Sequence, residues 1–308
     1  MAISLKGRNF FALEDFTPEE IRYLLDLAIQ LKKESKEHIK HQDYIGEDFL
    51  LLFEMNSTRT RCAFETSAND LGMGTTFLSN SHFGNTETIK DSMRVFSEMY
   101  SAIGYRGAKH STLLEMAKDS TIPIINGYTD HQHPTQMLAD AMTLDEVWGR
   151  ENYKGKTLCF IGRGGAVNSF SYGVMCAMLG MNFTYITSYM EMDEALEGLT
   201  AAEKATFRKF VPEGVVSPNW DTKMDARKRK IVEELFAKYS PECKFIETDD
   251  INAIKGVDVI TTENWGFFTD PVETWLPGIV RFRPYQVNRE LLERSENPEC
   301  IVIQMLPS

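Results

Sequence analysis

The hydrophobic and polar positions along the chain follow two alternating patterns. Short, continuous apolar runs, such as residues 49–53, are typical of strands that are buried on both faces of a parallel sheet. Between these runs, apolar residues recur every three or four positions, which indicates helices with one buried face. The alternation of strands and helices predicts an α/β fold, with helices on both sides of a parallel sheet.

The predicted strands are, in chain order, residues 49–53, 75–78, 102–105, 122–125, 157–161, 182–187, 243–247, 258–262 and 300–304. The predicted helices are residues 18–34, 60–71, 87–100, 112–117, 134–148 and 169–179. Residues 190–239 are rich in Glu, Lys and Ala, and predict surface helices with an irregular middle at residues 212–218. Met175, Met178 and Met181 have helical spacing and are interpreted, with Cys176, as core filling.

The first helix has the strongest start signal. Thr17 is a predicted N-cap, Pro18 takes the first helical position and Glu20 takes the third. Its predicted buried face consists of Ile21, Leu24, Leu25, Leu27, Ala28 and Leu31.

The strand pattern restarts after residue 149, which indicates a second domain. A chain of 308 residues also exceeds the roughly 250 that one hydrophobic core usually supports. We therefore predict two doubly wound parallel-sheet domains, residues 1–148 and 149–308, joined by the long helix that follows His133. Ligands are expected at the carboxyl ends of the strands.

Composition and charge exclude several classes of partner. The net charge of −12 argues against nucleic acid or an anionic membrane as a partner, so an anionic ligand requires local basic groups. No apolar run approaches the roughly 18 residues of a membrane span, and residues 1–15 do not have the pattern of a secretory signal. The five cysteines lack metal-ligand spacing and predict buried free thiols in a reducing, cytoplasmic setting.

Residues 53–61 lead from a strand into a helix and form the first candidate site. The helix N-terminus and the hydroxyls of Ser57, Thr58 and Thr60 suit a phosphate, and Arg59 can bind two of its oxygens. The alternative is that Ser57 is only an N-cap and that both arginines of the segment are solvated.

Two further candidates follow later strands. Arg106 ends a strand beside Gly107, and His133 precedes a helix in which Pro134 takes the first position. Gln136 lies one turn along the same face as His133. A single His or Arg is more often structural, but three such sites at successive strand ends of one sheet indicate a binding cleft.

These segments resemble the ornithine/aspartate carbamoyltransferase family. Ser57-Thr58-Arg59-Thr60-Arg61 matches the Ser-x-Arg-Thr signature of that family. His133-Pro134-Thr135-Gln136, followed by Leu138-Ala139-Asp140, matches its His-Pro-x-Gln segment. The resemblance covers nearly the whole chain and is strongest over residues 50–145, where it is closer to the ornithine enzymes than to the aspartate enzymes.

The resemblance implies a mechanism for the first domain. Ser57, Thr58, Arg59 and Thr60 would hold the phosphate of carbamoyl phosphate, with Leu306 beside it. The catalytic residues would be Arg106, His133 and Gln136. Arg106 would bridge the phosphate and the carbonyl oxygen, His133 would donate to that oxygen, and Gln136 would accept from the carbamoyl NH2. No metal or organic cofactor is implied. The loop at residues 162–169 departs from the dinucleotide fingerprint, because position 167 is valine.

The acceptor side departs from the ornithine pattern. Glu263 stands where those enzymes have an aspartate, the Ser-Met-Gly loop is absent, and Met305 replaces the cysteine of a His-Cys-Leu-Pro turn. Asn168 is a candidate for the amino or carboxylate group of the acceptor, or else part of a glycine turn that only packs the helix.

The leading hypothesis is an ornithine carbamoyltransferase of arginine metabolism that produces citrulline, in either direction. The alternatives are another amine acceptor, such as putrescine, and an inactive homologue that binds carbamoyl phosphate. The resemblance also implies a homotrimer and a last helix beyond Ser308, so a truncated chain stays open as an interpretation.

Overall fold

The structure consists of two compact units, Met1–Val147 and Trp148–Ser308. It is a computed structural model that describes residues 3–163, 165–210, 223–266 and 275–304. Every ladder between named strands in these ranges is parallel, which confirms the prediction of an α/β fold with two parallel sheets. No helix in these ranges has the length and apolar character that a membrane span requires.

The first unit has a four-stranded sheet. Its strands are β1 (Asp48–Phe53), β2 (Gly74–Leu78), β3 (Ala102–Arg106) and β4 (Ile124–Tyr128), in the order β2-β1-β3-β4. Its helices are α1 (Pro18–Lys36), α2 (Arg59–Asp70), α3 (Ile89–Met99), α4 (His110–Asp119) and α5 (Pro134–Trp148), which ends at the boundary between the units. Since β1, β3 and β4 are neighbours and parallel, the segments that follow them leave from adjacent points on one edge of the sheet.

Alternate residues of β1 pack on opposite faces of this sheet. Leu50 and Leu52 belong to a core cluster with Ile103, whereas Phe49 and Leu51 belong to a separate one. A strand that is buried on both faces has no polar positions to alternate with apolar ones, which is why it appears in the sequence as an unbroken apolar run.

The predicted start of α1 is confirmed. The Thr17 hydroxyl accepts from the Glu20 N–H at 3.2 Å, and the Glu20 carboxylate accepts from the Thr17 N–H at 2.9 Å. The predicted buried face was wrong for Leu27, which is 37% exposed, while Arg22 is buried. Arg22 lies inside because Asp145 of α5 forms an ion pair with its guanidinium at 2.6 Å.

The Arg22–Asp145 pair yields a prediction about stability. Arg22→Met should lower the free energy of unfolding by about 3 kcal/mol, because it takes this cationic partner away from the buried Asp145 carboxylate. Urea unfolding would measure the loss. The control Lys33→Met removes an exposed pair with Glu37 and should cost less than about 1 kcal/mol. The double variant with Asp145→Leu should recover most of the loss, and equal stabilities of the two single variants would contradict the prediction.

The second unit has a five-stranded sheet. Its strands are β5 (Thr157–Ile161), β6 (Asn182–Ile186), β7 (Phe245–Thr248), β8 (Val259–Thr262) and β9 (Ile301–Gln304), in the order β7-β6-β5-β8-β9. Its helices are α6 (Val167–Leu179), α7 (Met192–Glu197), α8 (Ala201–Phe210), α9 (Ala226–Tyr239), α10 (Trp275–Phe282) and α11 (Arg289–Arg294). The last two helices were not predicted. Met175, Cys176, Met178 and Met181 are buried, which confirms their interpretation as core filling.

Two further predictions need correction. The strand predicted at residues 122–125 is β4, which starts two residues later and ends three residues later, because Pro123 lacks an N–H and Gly127 continues the strand. The cysteines are free, but only Cys159 and Cys176 are buried, while Cys62 is exposed on α2. The predicted irregular segment at residues 212–218 lies outside the described residues.

Candidate active site

A cavity of about 360 Å³ opens beyond the ends of β1 and β2. Its lining includes Ser57, Thr58 and Arg61. Thr58 takes the N-cap position of α2, and its side chain makes no capping hydrogen bond. Ser57 therefore does not occupy the N-cap position, so the alternative that Ser57 is only an N-cap was wrong. The first N–H groups of α2 are not satisfied by the Thr58 side chain, and such groups suit an anion.

The arginines of this segment lie in different surroundings. Arg59 is exposed in the first turn of α2 with the half-buried Thr60, and neither residue lines the cavity. Arg61 lines it, donates to the Glu65 carboxylate at 3.0 Å, and stacks its guanidinium 3.6 Å from the centre of the Phe77 ring. Arg61 is thus not merely solvated, contrary to the alternative considered for it.

Arg106 is the last residue of β3 and faces Tyr128 across a bulge in the β3–β4 ladder. The register shifts after Tyr105, so that Gly127 is the extra residue and Tyr128 lies opposite Arg106. The Arg106 guanidinium lies 4.6 Å from the Tyr128 ring centre. A Cβ at position 127 would come within 3.2 Å of both the Phe64 ring and the Tyr105 carbonyl oxygen, so this close approach favours glycine.

The Arg106 side chain has a buried hydrogen-bond donor without a partner in the described residues. Its buried Nε has no hydrogen-bond partner among the described residues, and its Nη1 makes only a long contact of 3.5 Å to the Gly127 carbonyl. Burial lowers the pKa of the Arg106 guanidinium, and the positive charge of Arg59 lowers it further. An anionic ligand would relieve both effects.

His133 lies beside this arginine and is neutral at physiological pH. Burial, together with the charge of Arg106, lowers the pKa of His133 to about 3. Its ring stands nearly perpendicular to that of Tyr128, with centres 5.4 Å apart. A neutral imidazole still donates one hydrogen bond, so His133 can act as a donor without carrying a charge.

Gln136 lies in the first turn of α5, three residues after His133. Its Nε2 donates to the carboxylate of Asp140, one turn further along the helix, at 3.0 Å. Asp140 is buried, whereas Gln136 is partly open to solvent.

The turn before His133 is held by the N-terminal segment, residues 10–15. The Glu14 carboxylate accepts from His131 at 2.6 Å and from Gln132 at 2.7 Å. The Gln132 side chain in turn accepts from the Leu13 N–H at 2.7 Å. The sequence analysis did not predict that Glu14 holds this turn, and it did not predict that Tyr128 lies beside Arg106. A strand-end position like that of Arg106 would have pointed to Tyr128, but no local pattern indicated Glu14.

The second unit brings Asn168 and Glu263 together. Asn168 lies in the first turn of α6, after β5, and Glu263 directly follows the neighbouring strand β8. The Asn168 amide donates to Glu263 Oε2 at 2.5 Å. Asn168 Oδ1 and Glu263 Oε1 are both buried and have no hydrogen-bond partner within the described residues.

The surroundings of the Glu263 carboxyl shift its pKa upwards. Burial raises its pKa to about 7, and this is opposed by the hydrogen bond from Asn168 and by the charge of Arg163. A cationic ligand would favour the charged form. The other acceptor candidate, Met305, and the donor candidate Leu306 lie outside the described residues. In the described part of the chain, no three His, Cys, Asp or Glu side chains are grouped to hold a metal ion.

Comparison with known proteins, by family model, by sequence and by structure, finds similarity to carbamoyltransferases in each case. Residues 8–146 match the family model described as aspartate/ornithine carbamoyltransferase, carbamoyl-P binding domain. The chain is 35% identical to the catabolic ornithine carbamoyltransferase of Clostridium perfringens over 100% of its own length and 83% of that protein. It is 36% identical to that of Mycoplasma capricolum, over 100% of the chain and 88% of the relative. The solved ornithine carbamoyltransferase from Pyrococcus furiosus is similar, with a TM-score of 0.83, 30% identity, and coverage of 100% of this chain and 87% of that one.

Proposed function

The chain belongs to the aspartate/ornithine carbamoyltransferase family, and on this basis we propose that it transfers the carbamoyl group of carbamoyl phosphate to the side-chain amine of ornithine, giving citrulline and phosphate. The observation that carries the proposal is the group of donors at the ends of β1, β3 and β4. The start of α2, the partly buried Arg106 and the neutral His133 follow adjacent strands of one sheet. The names of the similar proteins support ornithine as the acceptor.

The first unit would bind and polarise carbamoyl phosphate. Ser57, Thr58, Arg59 and Thr60 would hold the phosphate, and the cavity adds Arg61 as a further basic residue on its wall. The roles proposed for Arg106 and His133 converge on the carbonyl oxygen, where negative charge develops in the tetrahedral intermediate. Fixed donors at such an oxygen typically contribute about 3 kcal/mol each.

The reaction then needs no charge on His133. The unprotonated amine nitrogen forms a bond to the carbamoyl carbon, and the carbonyl oxygen takes up the electron pair. When the carbonyl reforms, the bond to the phosphate oxygen breaks and phosphate leaves with the electron pair. The leaving phosphate takes up the proton that the nitrogen loses. Gln136 would keep the carbamoyl NH2 oriented throughout. Leu306 is proposed beside the donor by resemblance only.

The second unit would bind the acceptor. The two free atoms of the Asn168–Glu263 pair are both hydrogen-bond acceptors, so they suit a group that brings donors and positive charge. The α-ammonium group of ornithine meets this requirement, and it would stabilise the charged form of Glu263. Met305 is proposed to line the same acceptor site, by resemblance.

A second candidate function follows from the same pair. Asn168 uses one of its two N–H donors on Glu263, so the pair offers at most one further N–H donor to an α-carboxylate, against two acceptor atoms without a partner in the described residues. A diamine such as putrescine carries a second ammonium group and no carboxylate, and therefore satisfies the pair equally well. An inactive homologue that binds only carbamoyl phosphate is the third possibility that the experiment must separate.

We further propose a cytoplasmic homotrimer that acts in arginine metabolism. The trimer is supported by the resemblance to the family, and the cytoplasm by the five free cysteines. The word catabolic in the names of similar proteins supports a place in arginine breakdown.

The test is phosphate release from carbamoyl phosphate, measured in parallel with ornithine, putrescine, aspartate and no amine. We expect ornithine to stimulate release and citrulline to form in equal amount. Stimulation by putrescine alone would assign the diamine function. If no amine stimulates release while carbamoyl phosphate still raises the melting temperature, the protein is a binding homologue. Without either effect, the proposed function is wrong.

A further inference from the structure

The contact between Gln136 and Asp140 fixes which end of an amide faces the ligand. Asp140 is 5% exposed and lies one helical turn after Gln136 on α5. The Gln136 Nε2 lies 3.0 Å from Asp140 Oδ1. This carboxyl oxygen accepts the hydrogen bond, so the NH2 group of the Gln136 amide faces Asp140.

This constraint determines the chemistry at the other end of the amide. With Nε2 turned to Asp140, Gln136 presents Oε1, a pure acceptor, in the opposite direction. Without Asp140 the amide could rotate by half a turn and present a donor instead, since the two ends have nearly the same size. Gln136 is only partly buried, so burial alone does not fix the orientation of its amide. The buried carboxylate is thus the feature that selects one orientation.

We propose that Asp140 is a positioning residue that makes the donor site prefer a carbamoyl group over an acyl group. The proposal rests on the proposed function, in which Gln136 accepts from the carbamoyl NH2. Acetyl phosphate has a methyl group where carbamoyl phosphate has this NH2, and it is otherwise of nearly the same shape. A fixed Oε1 gains a hydrogen bond from the NH2 but is left unpaired against the methyl group, which disfavours the acyl ligand.

The difference between the NH2 and the methyl group also sets the size of the preference for carbamoyl phosphate over acetyl phosphate. A site built to pair with an N–H group rejects an analogue without it far more strongly than a site that merely fits its shape. We expect wild-type protein to bind carbamoyl phosphate about a hundredfold more tightly than acetyl phosphate. Inorganic phosphate has neither group, so its affinity should be independent of the amide orientation.

The first test is Asp140→Asn, which keeps the size of the side chain but adds a donor. The introduced asparagine offers Gln136 both an acceptor and a donor, so the Gln136 amide is no longer held in one orientation and can turn its own NH2 towards the ligand. Calorimetric titration with carbamoyl phosphate, acetyl phosphate and inorganic phosphate should show the preference reduced at least tenfold, with phosphate affinity unchanged. A purely structural role of Asp140 would weaken all three ligands together, and that result would overturn the proposal.

A rescue experiment separates orientation from stability. The double variant Asp140→Asn with Gln136→Glu restores an acceptor at the ligand, because the asparagine donates to one carboxylate oxygen and the other faces outward. Its carbamoyl preference should rise above that of Asp140→Asn and approach the wild-type value. Failure of the double variant to exceed the preference of Asp140→Asn would contradict the proposal. If wild-type protein itself shows no carbamoyl preference but forms citrulline, only this inference fails; if it binds no carbamoyl phosphate, the proposed function fails too.

Discussion

Replacing Arg106 with alanine should lower turnover about a hundredfold or more, with His133→Ala having an effect of similar size. Both side chains are proposed to donate to the oxygen on which negative charge develops, so their removal raises the barrier of the chemical step. Steady-state rates of phosphate release at saturating carbamoyl phosphate would measure the change.

Two controls make this prediction specific. Arg106→Lys keeps the charge but cannot form two parallel hydrogen bonds, so it should recover only part of the lost rate. Glu290→Gln changes an exposed residue of α11 and should leave the rate as in wild type. Since the pKa of His133 is lowered to about 3, His133 does not change its charge between pH 5 and pH 8. We therefore expect the wild type and His133→Ala to show the same dependence of rate on pH in this range. Near wild-type rates for both alanine variants would show that the donor site is assigned incorrectly.

Glu263→Gln should affect binding and stability in opposite directions. The pKa of Glu263 is about 7 in the folded protein, against a usual value of 4.5. The folded state therefore holds the proton more tightly, and this stabilisation is complete below pH 4.5 and lost as the pH rises through 7. The shift corresponds to about 3 kcal/mol, because one pKa unit is about 1.4 kcal/mol. Glutamine cannot ionise and avoids this loss.

We therefore expect the unliganded variant to be more stable than wild type at pH 8, by up to about 3 kcal/mol, and equally stable at pH 4.5. Its affinity for the amine should fall on the order of tenfold or more, because a neutral amide replaces the carboxylate beside the ammonium group. Denaturant unfolding at the two pH values and KM for the amine would test both effects. Glu290→Gln again serves as the control, and an unchanged pH dependence in Glu263→Gln would refute the assignment.

The sequence predicted best the features that depend on neighbouring residues. A strand such as β1 is recognisable because its apolar residues are all buried, and the start of α1 because its cap lies within four positions. The candidates Arg106, His133 and Gln136 were found because each stands where a strand ends or a helix begins. These are local signals, and the parallel sheets that follow from them are confirmed.

The features that the sequence did not predict depend on distant partners. Tyr128 was missed because Gly127 looks like the start of a turn, whereas it forms a bulge that continues β4 opposite β3. Arg22 was missed as a buried residue because its partner Asp145 lies on another helix. Asn168 and Glu263 were both proposed as acceptor residues, but their hydrogen bond joins positions 95 residues apart. The roles of these residues in binding stay predictions.

The bonds from Glu14 to the turn before His133 have a consequence for how the chain folds. They join positions 117 and 118 residues apart, and the same N-terminal segment also forms a bridge from Phe10 to Ile125 of β4. During synthesis, the N-terminal segment leaves the ribosome long before the turn that it must hold. At the usual rate of about 5–20 residues per second, it waits for several seconds without its partner. The bonds from Glu14 to this turn can therefore form only after all four strands of the first unit have been synthesised.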